Sequence, residues 1–194
     1  SGRFVVVPDK GLDRIFVFRI EGGRLVPAER PFVQTRGGAG PRHVAFDPGG
    51  RWLYAVNELD SSVTVYAFNR DTGALAPRQW LPLLPDTFTG NSRAAEIEAS
   101  RDGRNLYASN RGCDTIEVFA IDAVTGRLEH RQSRSTEGRT PRFFALHPGG
   151  RSLYVLNEDS DEIVVIDVNP TDGNLGRTLG SLHCGSPVCL AFGA

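Results

Sequence analysis

The sequence predicts an all-β fold, a β-propeller of four-stranded antiparallel blades with about four blade equivalents in the chain. Three observations carry that expectation. A Gly-Arg phrase leading into an apolar run returns four times, as GRFVVVPD, GRWLYAVN, GRNLYASN and GRSLYVLN, with its arginines at 3, 51, 104 and 151. Within each repeat, short runs rich in aromatic and β-branched residues alternate with turns rich in Gly, Pro and Asp. Helical periodicity is missing, and 12 prolines and 22 glycines punctuate the chain. Spacings of 48, 53 and 47 residues make each unit one supersecondary piece.

The second unit spells out the blade. VAF, a DPGG turn and RWLYAVN form a hairpin of strands A and B; SSVTVYAFN is strand C; an RDTG turn leads to ALAPRQWL, strand D. The C–D turn is itself a repeated signal, as GGRL at 22–25, DTGAL at 71–75, VTGRL at 124–128 and TDGNL at 171–175. The chain starts inside an A–B turn, so the first unit, about 1–40, has strands B, C and D without A. Units of about 41–93, 94–140 and 141–185 have all four strands, and SPVCLAF at 186–192 reads as a closing strand A. Stacked sandwiches are the all-β alternative, but they do not demand a regular period. The WD dipeptide of one large propeller class is absent. Residues 1–194 are therefore expected to form one propeller domain or part of one. A four-bladed closure, self-association, or further N-terminal blades would each remove the open sheet edges.

Bulk properties narrow the function. The chain has 194 residues, 40% apolar and 23% charged, the balance of a globular domain. A net charge of −1 argues against nucleic acid and anionic membrane surfaces as partners. No apolar run is long enough to span a bilayer, and the start has no signal-peptide pattern. The three cysteines, Cys113, Cys184 and Cys189, match neither a disulfide framework nor a zinc site, so reduced thiols in a cytoplasmic protein are expected, with no metal. There is no Gly-x-Ser-x-Gly elbow and no phosphate-cradling glycine loop before a helix. His147 falls on a turn and His130 on an outer strand.

The remaining signal is charge at the blade ends. PRHVAFDPGGRWLYAVNE at 41–58 returns as PRFFALHPGGRSLYVLNE at 141–158. Arg42 and Glu58 lie equidistant from the hairpin turn and therefore face each other; Arg142 and Glu158 do the same. In the third unit the corresponding residues are Ala95 and Arg111, with Glu96 beside them, and the first unit offers Lys10. Strand A lines a propeller's channel, so Arg42, Glu58, Glu96, Arg111, Arg142 and Glu158 are expected around one mouth, with His43 beside Arg42. Such a funnel can hold an anionic ligand and supply a proton acceptor. The alternative is a set of cross-strand pairs contributing roughly 0.2–1 kcal/mol each. The insertion PDTFTGNSRAAE at 85–96 falls on the same face. It makes Phe88, Thr89, Asn91 and Ser92 candidate ligand contacts.

These runs, with the 40–66, 88–119 and 140–165 stretches in order and spacing, resemble the lactonase family of seven-bladed propellers. That family includes propeller-type bacterial 6-phosphogluconolactonases and the fungal carboxymuconate cyclase. The resemblance covers the whole chain, corresponds to the family's C-terminal part, and implies a place in a seven-bladed ring. It also implies lactone chemistry on a small anionic sugar lactone such as 6-phosphogluconolactone, without cofactor. Cyclisation, or binding without turnover, is the alternative reading. In the cyclase a histidine, two arginines and a glutamate form the site. The arginines carry over to Arg42 and, in SNRG, to Arg111, and the glutamate to Glu58. The family histidine falls just before the segment beginning at Gly2. Phe143 stands where many relatives have a polar residue, and Cys113 where histidine is frequent. The implied roles are Glu58 as base if burial raises its proton affinity, Arg111 as oxyanion partner, and Arg42 as the bidentate anion holder. His43, Glu96, Arg142, Glu158 and Asn91 are the expected substrate contacts.

Overall fold

A computed structural model describes residues 2–193 and shows fifteen strands in four antiparallel sheets. The first sheet has three strands, β1 (Phe4–Asp9), β2 (Arg14–Glu21) and β3 (Arg24–Gln34). The second contains β4 (Pro41–Phe46), β5 (Trp52–Asn57), β6 (Ser62–Phe68) and β7 (Leu75–Pro82). The third contains β8 (Arg93–Ala99), β9 (Asn105–Arg111), β10 (Thr115–Ile121) and β11 (Leu128–Ser135). The fourth contains β12 (Pro141–Leu146), β13 (Ser152–Asn157), β14 (Glu162–Val168) and β15 (Leu175–His183). Each sheet keeps its strands in chain order, the meander of a propeller blade.

The core lies between the blades, and strand alternation explains it. Successive side chains of a strand point to opposite faces. Thus Leu53 and Ala55 of β5 pack toward the first blade with Ile15 and Tyr66, whereas Tyr54 and Val56 pack toward the third with Ile97 and Leu106. A blade with neighbours on both faces buries both sets, so all four residues are fully buried. For this reason the B strands read as continuous apolar runs.

The recurrent C–D turns are contacts between blades. Tyr54 donates its hydroxyl proton to the Gly126 carbonyl at 3.3 Å, and Tyr107 donates to that of Gly173 at 2.7 Å. Burial pushes up the pKa of both phenols. Gly126 has φ +67°, and a Cβ there would stand 2.2 Å from the Trp52 ring; at Gly173, φ +77°, it would stand 2.2 Å from the Asn105 side chain. These turns need glycine for both backbone and space. Gln79 bonds the backbone of Leu128 in both directions, and Gln132 does the same with Leu175.

One expectation is corrected. Residues 186–192 join no ladder. Asp161 accepts the Ser186 N–H at 2.7 Å, the anchor that Asp13 and Asp114 supply ahead of β4 and β12, but no backbone ladder forms beyond it among the described residues. Phe192 instead packs edge-on against His147 and Tyr154, with centroids 5.2 and 5.3 Å away.

Candidate functional site

Each inner strand starts with a distortion. The ladder slips at Pro41/His43 in β4, at Ala94/Ile97 in β8 and at Pro141/Phe143 in β12. The extra residues are Arg42, Ala95 with Glu96, and Arg142. A bulge re-aims its side chain out of the regular alternation. The strands are also anchored just before the bulge. Asp13, in the β1–β2 turn with φ 52°, accepts the N–H groups of Gly38 and Gly40 at 2.7 Å each. These bonds hold its carboxyl below the usual range. Asp114, φ 55°, accepts the Thr140 N–H at 2.9 Å in the same way. Contacts between neighbouring blades, made by residues 25 to 27 positions apart, thus fix where Arg42 and Arg142 enter the sheet.

Glu58 follows β5 directly, and its N–H bonds to the Gly40 carbonyl at 2.8 Å. Its side chain is only 7% exposed and faces four cations. Lys10 Nζ lies 3.2 Å away, Arg42 Nε and an Arg111 terminal nitrogen 3.3 Å each, and Arg93 3.8 Å. Burial raises the proton affinity of Glu58, but the bond from Lys10 and the charge of Arg111 outweigh it, and the net shift is downward. The condition for a basic Glu58, a raised proton affinity, is therefore not met: the carboxylate is pinned as a counter-ion. Arg42 and Arg111 are themselves held by carbonyls of β8, Arg42 by Ala95 at 2.5 Å and Arg111 by Ala94 at 3.2 Å. Burial, and after it the neighbouring Arg111 charge, lower the pKa of Arg42 against the opposing pull of Glu96 and Glu58.

A cavity of about 390 Å³ opens here, lined by Lys10, Arg42, Glu58, Arg93, Arg111 and Arg142, with Pro8 and Pro41. Arg42, Glu58, Arg111 and Arg142 thus meet as their spacing predicts. Lys10 occupies in the first blade the position held by Glu58, Arg111 and Glu158 in the others, a signal the repeat already contained. Arg93, inside the insertion, had no such signal. Two expected contacts stand beside the cavity: His43 on Glu96, and Glu158, 3.6 Å from Arg142. Asn91 is an exception. It is exposed and does not line the cavity; its backbone oxygen packs where a Cβ of Gly112 would be, 2.2 Å off, and only Ser92 bonds the Arg111 carbonyl, at 3.0 Å.

A family model described as "Lactonase, 7-bladed beta-propeller" matches residues 1–192. The chain belongs to the lactonase family. It is 33% identical over 189 residues to the 6-phosphogluconolactonase of Bacillus subtilis (strain 168), which covers 97% of this chain and 54% of that protein. Against the 6-phosphogluconolactonase of Erwinia tasmaniensis, identity is 37% over 176 residues, 90% of this chain and 52% of the relative. Among solved structures, the periplasmic gluconolactonase of Pseudomonas aeruginosa superposes with a TM-score of 0.93 at 40% identity, over 100% of this chain and 54% of that one. The chain spans about half the length of the curated relatives it matches. Since the family fold includes a periplasmic protein, fold carries no compartment and does not support the cytoplasmic expectation. Among the described residues no helix is long and apolar enough to cross a membrane.

Proposed function

We propose that the cavity binds a small anionic lactone, of the class of a phosphorylated sugar lactone, and supports its hydrolysis. The observation that carries this reading is the lining: five cationic side chains and a single carboxylate around one opening, in a chain whose net charge is −1. Two relatives that share this repeat are named 6-phosphogluconolactonase, which supports the choice of substrate class.

In this reading Lys10, Arg93 and Arg142, the more exposed cations, take the phosphate or carboxylate of the ligand. Arg42 and Arg111, held by backbone carbonyls and by Glu58, present guanidinium N–H groups in a fixed direction. A guanidinium aimed at the lactone carbonyl stabilises the oxyanion that develops when water adds, and its preorganisation saves reorientation during the step. Glu58 keeps the arginines in register. An anionic ligand also withdraws cationic field from Glu58, so binding and the protonation of Glu58 are coupled.

The test is hydrolysis of 6-phosphogluconolactone by the 194-residue chain, followed by proton release and corrected for the spontaneous rate. Arg111→Ala is expected to lower kcat about 100-fold, the scale of losing one oxyanion donor. Arg142→Ala is expected to act on KM. A wild-type rate equal to the spontaneous one would refute the hydrolytic reading.

A further inference from the structure

The positions occupied by His43 in β4 and Glu96 in β8 are equivalent in their repeats, and Phe143 stands there in β12. Inner strands of adjacent blades lie side by side, so these two side chains meet. His43 Nδ1 is 2.9 Å from both carboxylate oxygens of Glu96. Glu96 is buried within the β8 bulge, and its Oε1 also accepts the Ile97 N–H at 3.0 Å. The imidazole is less confined: the His43 side chain is 42% exposed.

This geometry selects a tautomer. A bare Nδ1 would point its lone pair at two carboxylate oxygens, whereas Nδ1–H donates to them. Arg42 lies 3.2 Å from the same nitrogen, but a protonated Nδ1 cannot accept from it. The proton therefore sits on Nδ1 and the lone pair on Nε2, which makes no hydrogen bond among the described residues. The charged groups around the ring are Arg42 from its own strand and Glu96 from β8. One step further are Glu98 on β8, Glu58 after β5, Arg111 at the end of β9 and Arg142 at the start of β12. Glu58 faces four cations, whereas His43 faces one cation and one carboxylate.

We infer that His43 is the general base for water in this site and that Glu96 is its positioning residue. The inference rests on the hydrolytic reading above. As the water oxygen adds to the lactone carbonyl carbon, Nε2 takes its proton, giving an imidazolium that Glu96 stabilises. The tetrahedral oxyanion faces the arginines. When the ring C–O bond breaks, the Nε2 proton passes to the departing ring oxygen, which becomes a hydroxyl. Lactone and water give the hydroxy acid, and the imidazole is neutral again. A carboxylate holding the far nitrogen of an imidazole is the arrangement that orients such a base elsewhere.

His43→Asn tests this in the full chain, because the asparagine amide can still donate to Glu96 but has no base. With 6-phosphogluconolactone, kcat is expected to fall between about 100- and 10,000-fold with KM changed less than about threefold. The acid-side limb of the kcat/KM profile should disappear. Glu96→Gln should lower kcat about tenfold and displace that limb, a change that loss of packing alone does not produce. A His43→Asn enzyme within twofold of wild type, with an unaltered pH profile, overturns the role of His43 and leaves lactone hydrolysis standing. A wild-type chain with no rate above the spontaneous one instead removes both. Nitrogen chemical shifts of the wild-type His43 ring supply a test that no variant's folding can confuse: a proton on Nε2 and none on Nδ1 refutes the dyad.

Discussion

Arg42–Glu58 and Arg142–Glu158 are the same two residues at equivalent positions of two repeats, yet they are different structures. The first pair is enclosed, with side chains 16% and 7% exposed, and Glu58 receives Lys10, Arg93 and Arg111 in addition. The second is a single 3.6 Å contact with side chains 41% and 24% exposed. Nothing inside the hairpin accounts for this. The difference comes from the flanking blades, which place Lys10 on one side of Glu58 and Arg111 on the other. In a repeat protein a residue's role is set by the units next to its own.

The two carboxylates should differ most in what their loss costs. Glu58→Gln leaves several partly buried cations uncompensated and should lower unfolding free energy by about 3 kcal/mol, as removal of one partner from a buried ionic cluster does. Glu158→Gln should cost less than about 1 kcal/mol, as at an exposed pair. Urea unfolding measures both, and equal losses would end the distinction. Phosphate should restore part of the Glu58→Gln loss, because an anion then replaces the missing charge.

A control comes from the other rim, where equivalent positions do behave alike. Gly126→Ala and Gly173→Ala each place a Cβ 2.2 Å from a neighbouring blade's side chain at positive φ, and each should cost about 1–3 kcal/mol. The two losses should agree within a factor of two by urea unfolding. A loss at one and not the other would show that this rim, too, depends on its neighbours.

Ligand binding sharpens the contrast further. Phosphate at 10 mM is expected to raise Tm by a few degrees in the wild type. Arg93→Ala or Arg142→Ala should remove most of the rise, and Arg111→Ala or Arg42→Ala should only reduce it. Because the interaction is between exposed charges, 0.5 M NaCl should weaken it.

The smallest effect is in acid. The folded pKa of Glu58 lies below its unfolded value, so its contribution is full above the ordinary carboxylate pKa of about 4.3. That contribution is lost as pH falls from there through the lower folded value. Asp13, also held low, contributes with the same sign. A stability–pH curve for Glu58→Gln should therefore be flatter than wild type below about pH 4, and parallel curves would contradict the assignment.

Much of this was legible in the chain itself. The repeat of Gly-Arg phrases marks every B strand, the DTG-type signals mark the C–D turns, and the offsets from each turn place Arg42 opposite Glu58. These features are local: they follow from turn chemistry and the two-residue period of a strand. The bulges were not legible, because Pro-Arg-His and Ala-Ala-Glu give no sign that a ladder will slip there. Nor was the position of Asn91, since a loop's contacts depend on what it lies against.

The blades, their order and the set of charges at one end follow from the order of amino acids alone, because each rests on hydrogen bonding and side-chain alternation within about fifty residues. Which charges share a cavity, the lowered proton affinity of Glu58 and the seating of His43 on Glu96 arise only when the blades pack together. Those properties depend on distances between residues of different blades, and at 3 Å the presence or absence of one neighbouring charge reverses the direction in which burial alone would move a proton.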